Sequence, residues 1–105
     1  MKLMTKEIEN KLLKHPLYST EGNPDDAEVI VSYFNPYGSE KWLIIEGEKS
    51  DGDFYLYGLC YLYTWEWGEV SLSQLERVGF IERDKFRHGK VKELADGYEG
   101  TPFWE

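Results

Sequence analysis

The stretch from Asp53 to Trp67 constrains this chain more than any other. Tyr55, Tyr57, Leu59, Tyr61, Tyr63 and Trp65 alternate there with Phe54, Leu56, Gly58, Cys60, Leu62 and Thr64. Successive side chains of a strand point to opposite faces, so this period of two predicts one long β-strand with its tyrosines on one face and its smaller residues on the other. Both faces are largely apolar, and both should be covered, one by a helix and the other by loops or a partner.

The flanking segments supply those covers. Thr5 to Lys14 reads as a short helix with Thr5 as N-cap, Ile8 and Leu12 on one stripe, and Pro16 as its stop. Leu17 to Asp26, with Gly22-Asn23-Pro24, reads as a loop. Glu28–Phe34 and Lys41–Glu48 carry β-branched and aromatic residues around the Asn35-Pro36-Tyr37-Gly38 turn and predict an antiparallel hairpin, followed by an acidic linker over 49–53. Ser71 and Gln74 have capping-box spacing, Leu72 and Leu75 form a stripe, and Gly79 ends this second helix. Phe80–Phe86 suggests a short edge strand or extended segment and Val91–Ala95 a helical turn. The expectation is one α+β domain over residues 1–95, a small antiparallel sheet with two or three short helices, then a loose tail over 96–105. Leu43, Ile45, Leu56, Leu62, Leu72 and Leu75 are its expected core.

At 105 residues the chain has room for one such domain. Its single cysteine, Cys60, excludes an intramolecular disulfide framework and multi-cysteine zinc patterns and points to a reducing, cytoplasmic compartment. No window approaches the ~18 apolar residues of a membrane span, and the N-terminus alternates Lys and Glu where a signal peptide would be apolar. The net charge of −8 is uneven: residues 21–69 hold eleven acids against Lys41 and Lys49, whereas the rest hold nine acids against ten bases. Phosphates would be repelled by that middle, which argues against direct nucleic-acid binding and for a basic protein surface as partner. A surface acidic only for solubility carries the same signature.

Residue patterns for catalysis or metal binding are weak. His15 and His88 stand alone, and Cys60 lies in an apolar strand where an inert thiol is expected. Asp51-Gly52-Asp53 resembles a fragment of a calcium loop but lacks the remaining ligands and the closing Glu. No catalytic residue, cofactor or metal is therefore expected. Glu66, between Trp65 and Trp67, should be partly desolvated and paired with an Arg such as Arg77 or Arg83, or hydrogen-bonded to backbone. The tyrosine strand would suit base stacking, but residues 53–69 hold no Lys or Arg to flank it. Tyr and Trp beside acids fit a protein-facing surface better.

The blocks Leu17-Tyr18-Ser19-Thr20-Glu21-Gly22, Tyr33-Phe34-Asn35-Pro36, Trp42 through Glu46, Tyr57-Gly58, Glu66 through Glu76 and Ile81-Glu82-Arg83-Asp84 occur in order. Over about residues 12–94 the chain resembles the small bacterial proteins grouped as domain of unknown function 2958. The resemblance brings no catalytic residues with it. It implies a setting on plasmids, phages and integrative elements, where small acidic proteins often block the nucleic-acid channels of host nucleases. The resulting expectation is an anti-CRISPR or anti-restriction inhibitor, a monomer or weak dimer, whose Glu46, Glu48, Asp51, Asp53, Glu66 and Glu69 mimic phosphate charge toward a defence nuclease. The alternatives are an accessory binding module in plasmid transfer or replication, and an enzyme built around Glu66, Glu82, Asp84 and Arg83.

Overall fold

A computed structural model describes residues 2–20, 23–85 and 87–99. Among them, a five-stranded antiparallel sheet of order β4-β3-β2-β1-β5 is built from β1 (Val31–Phe34), β2 (Lys41–Ser50), β3 (Asp53–Tyr61), β4 (Trp65–Ser71) and β5 (Glu82–Asp84). Helices α1 (Lys6–Leu13), α2 (Leu72–Val78) and α3 (Val91–Leu94) and a 3-10 turn at Pro24–Asp26 complete it. The α+β reading holds.

The period-two run is divided between two strands. Tyr61 pairs with Trp65, their rings 5.2 Å apart, and Leu62, Tyr63 and Thr64 form the connection between β3 and β4. A three-residue hairpin loop needs no proline, and here it contains neither Pro nor Gly, so apolar alternation carries on through a place where the chain reverses. Leu62, expected in the core, is consequently half exposed, and Tyr63 lies in solvent. The other five expected core positions are buried. The stretch read as an acidic linker is itself a tight turn: Asp51 and Gly52 both have positive φ, 53° and 79°, as a two-residue hairpin turn between twisted strands requires.

Each face of the sheet buries its own cluster. On one, Ile8 and Leu12 of α1 and Leu72 and Leu75 of α2 pack against Tyr33, Ile44, Phe54 and Leu56. On the other, Leu43, Ile45 and Leu59 meet Val91, Leu94 and Ala95 around α3. The helix caps read from the sequence are made: the Thr5 side chain accepts from the Ile8 N–H, and Ser71 and Gln74 exchange reciprocal hydrogen bonds. Gly79 closes α2 at φ 89°.

Residues 96–98, expected to begin a loose tail, are tied to the sheet. The indole N–H of Trp65 donates to the Asp96 carbonyl at 2.9 Å, and the Tyr98 hydroxyl donates to Asp25 at 2.7 Å. The rest of that tail from Gly100, including Phe103 and Trp104, which alone would tie it down, lies outside the described residues, as do Glu21, Gly22 and Phe86.

Candidate functional site

A β-bulge determines where the acidic strand aims its charge. Between Ile44 and Glu46 the β2–β3 register shifts by one residue: Ile44 faces Gly58, Glu46 faces Tyr57, and Ile45 is the extra residue. A Cβ at Gly58 would lie 1.8 Å from the Leu43 carbonyl oxygen, so only glycine permits this approach. Beyond the bulge Glu46 follows Ile45 onto the α3 side of the sheet instead of alternating away from it.

Glu46 is therefore buried at 3% exposure. Its carboxylate accepts the backbone N–H groups of Tyr18 and Thr20, each at 2.7 Å, and the Thr20 hydroxyl. The Gly47 N–H donates to the His15 carbonyl at 3.1 Å, fastening the same loop to the part of β2 that runs past the end of β1. Burying a carboxylate is costly unless donors surround it, and these three meet that requirement. Glu46 thus cannot belong to an exposed phosphate-mimicking surface as the sequence suggested.

Across three neighbouring strands Glu46, Tyr57 and Glu69 form one row. Together with Tyr18, Thr20 and Pro24 they border a cavity of about 400 Å³. Burial first, and then the nearby Glu46 carboxylate and Cys60 thiol, raise the Tyr57 pKa. Trp67 stacks on Tyr57 at 5.8 Å and 16°, and its indole N–H donates to the Tyr98 hydroxyl. Sequence reasoning treated 17–26 as plain loop and missed Tyr18 and Thr20. The available signal was a glutamate directly after the apolar run Trp42-Leu43-Ile44-Ile45, within a strand, where it needs donors from elsewhere in the chain.

The other sequence-derived site residues separate into two kinds. Asp53 is occupied structurally: it accepts from Phe54 N–H, Ser73 N–H and the Ser73 hydroxyl, joining β3 to the first turn of α2. The Ser73 hydroxyl, helped by the two backbone donors, lowers its pKa. Glu48, Asp51, Glu66 and Glu69 are exposed. Glu66 lies on the α2 side of β4, because strand alternation sends Trp65 and Trp67 to the opposite face, so the indoles do not desolvate it. Arg83 is on β5, at the far edge of the sheet. Ion pairs join Lys6 to Glu9, Arg87 to Asp96 and Lys92 to Asp26, and none of these engages the four exposed acids.

Strand order also dismantles the carboxylate site considered for an enzyme. Glu66 on β4 and Glu82, Arg83 and Asp84 on β5 occupy opposite edges, four strand steps or about 19 Å apart. The β5 residues border a cavity of about 700 Å³, lined also by Phe34, Leu43 and Leu94. Lys41, Lys85 and Arg87 mix with Glu40, Glu82 and Asp84 around it, giving no dominant sign of charge. Burial pushes the Cys60 thiol pKa up to about 11. Among the described residues no group of three or more His, Cys, Asp or Glu is placed to hold a metal ion, and no helix is long and apolar enough to cross a membrane.

No curated protein and no solved structure matches the chain significantly. The model of one family does, described as protein of unknown function (DUF2958), and it matches residues 3–91. The chain belongs to that family.

Proposed function

We propose that this DUF2958 protein acts in the cytoplasm by binding another protein, and that the partner presents a basic, nucleic-acid-binding surface which it occludes. A defence nuclease of the restriction or CRISPR type is the target class that the mobile-element setting suggests. The observation that carries the reading is the β2–β3–β4 region, where Glu48, Asp51, Glu66 and Glu69 are exposed and take part in no ion pair among the described residues. From Ser50 to Glu76 the sequence contains no Lys or Arg. Unpaired surface acids next to half-buried Trp65 and Trp67 suit a partner rich in Arg and Lys, the charges speeding encounter and the indoles slowing release.

The test is protection of phage in cells carrying one nuclease-based defence system at a time, followed by DNA cleavage by the purified nuclease. Expression of the protein should raise plating efficiency and block cleavage. The triple reversal Glu48→Lys, Glu66→Lys and Glu69→Lys should lose both effects while remaining folded. Unchanged plating across restriction and CRISPR systems would refute the anti-defence role.

A further inference from the structure

We infer that β4 is a docking edge that accepts an extended basic segment of the partner as a sixth strand. This rests on the protein-binding reading above and adds how the partner is held.

The two edges of the sheet differ. β5 has three residues, whereas β4 has seven and, among the described residues, pairs only with β3. An open edge presents a row of backbone donors and acceptors, and natural edges are blunted by Pro, Lys, bulges or a covering element. The residues of β4, Trp65-Glu66-Trp67-Gly68-Glu69-Val70-Ser71, include neither Pro nor Lys, and the bulge of this sheet lies in β2.

The surfaces on either side of that edge select the occupant. On the α2 side, Trp42, Leu62, Val70, Leu75 and Val78, together with the exposed Glu66, line a groove of about 370 Å³, in which Leu62 and Val78 are 50% and 47% exposed. On the other side lie Trp65, Trp67 and Glu69. An added strand alternates its side chains between these surfaces, so one set would be apolar and the other basic. Lys or Arg stems would lie along the indoles with their charges near Glu69. Charge favours a basic segment over a second copy: antiparallel pairing of two β4 strands about Gly68 would set Glu66 opposite Val70 and Glu69 opposite Trp67, joining two acidic edges with no Lys or Arg between Ser50 and Glu76 to balance them.

The probe is a capped synthetic peptide with the seven-residue length of β4, alternating Lys and Val. It would be compared with the same sequence N-methylated at alternate backbone amides and with an alternating Glu and Val peptide. Titration by NMR should show the Lys peptide shifting β4 resonances and slowing amide exchange within 66–70. The N-methylated and Glu peptides, and the Glu66→Lys and Glu69→Lys double variant, should each bind at least about tenfold more weakly. Circular dichroism would establish that the double variant is folded. Equal binding of the N-methylated peptide would overturn strand addition while leaving the acidic-surface reading intact, because side-chain charge alone would then suffice. Absence of binding by the Lys peptide, or dimerisation through β4 in sedimentation, would also overturn it.

Discussion

The Tyr18 N–H reaches the Glu46 carboxylate at 2.7 Å across 28 positions of sequence, and Tyr18 holds a left-handed backbone, φ 74°. For a non-glycine residue that conformation costs about 1–2 kcal/mol. The contact must offset that cost, and the buried carboxylate with three donors is what does so. Glu46→Ala leaves two backbone N–H groups without their acceptor, each worth about 1–3 kcal/mol when buried. We expect a loss of about 2–4 kcal/mol in urea unfolding and faster exchange of the Tyr18 and Thr20 amides. Glu46→Gln keeps an acceptor oxygen and should cost less than Glu46→Ala.

Gly58 permits the bulge that aims Glu46. Any Cβ at this position would meet backbone, at 1.8 Å from the Leu43 oxygen and 2.7 Å from its carbonyl carbon, and backbone cannot swing aside as a flexible side chain can. Gly58→Ala should destabilise by about 3 kcal/mol, the upper range for overpacking. Gly68, the next glycine across the sheet, has open space where its Cβ would stand. Gly68→Ala should be neutral or stabilise by about 0.5 kcal/mol, since glycine is the costlier residue in a strand. Parallel thermal melts of the two variants would reveal the contrast.

Local patterns made α1, α2 and the first hairpin legible, because caps, stripes and turn residues act within a few positions. What stayed hidden depended on distance along the chain. The β3–β4 reversal has no turn chemistry in Leu62-Tyr63-Thr64, so periodicity alone ran through it. Burial of Glu46 requires a bulge in β2 that only a glycine at position 58, on the next strand, permits, and a loop 26 to 28 residues upstream. Composition singled out the acidic middle, and four of its six proposed binding acids are exposed; the other two have structural partners that no spacing rule announces.

Asp53 gives the fold a pH dependence of defined sign. Its hydrogen bonds to Ser73 and Phe54 favour the carboxylate, so its pKa falls below the ordinary aspartate value of 3.8 on folding. The stabilisation is therefore present above about pH 4 and is lost as pH falls through the lower folded-state value. Melting temperature against pH should decline more steeply below pH 4 in the wild type than in Asp53→Asn. Identical acid profiles would show that the Ser73 contacts confer no preference for the charged form.

Cys60 should be inert in the folded protein. Burial keeps its thiol protonated, with a pKa of about 11, and it is the thiolate that attacks alkylating reagents. Iodoacetamide at pH 8 should label the native protein far more slowly than the same protein in denaturant. Equal rates would require the β3 segment around Cys60 to open frequently.

The acidic surface should act on association and hardly at all on folding. Glu48, Glu66 and Glu69 are the appropriate positions for reversal, since Glu46 and Asp53 are structurally engaged and Asp51 holds φ 53°, where lysine would be strained. Each exposed substitution should change stability by no more than about 0.5 kcal/mol. With a basic partner, reversal of all three should slow association at low salt while changing dissociation less, because exposed charges steer encounter more than they hold the complex. Raising ionic strength from 0.1 to 1 M shortens the Debye length from about 10 Å to about 3 Å, so wild-type association should slow toward the variant's rate. Stopped-flow measurement across that salt range separates the outcomes. Converging rates would assign the acids to steering, whereas a wild-type rate insensitive to both salt and reversal would transfer the recognition to the indoles and groove beside β4.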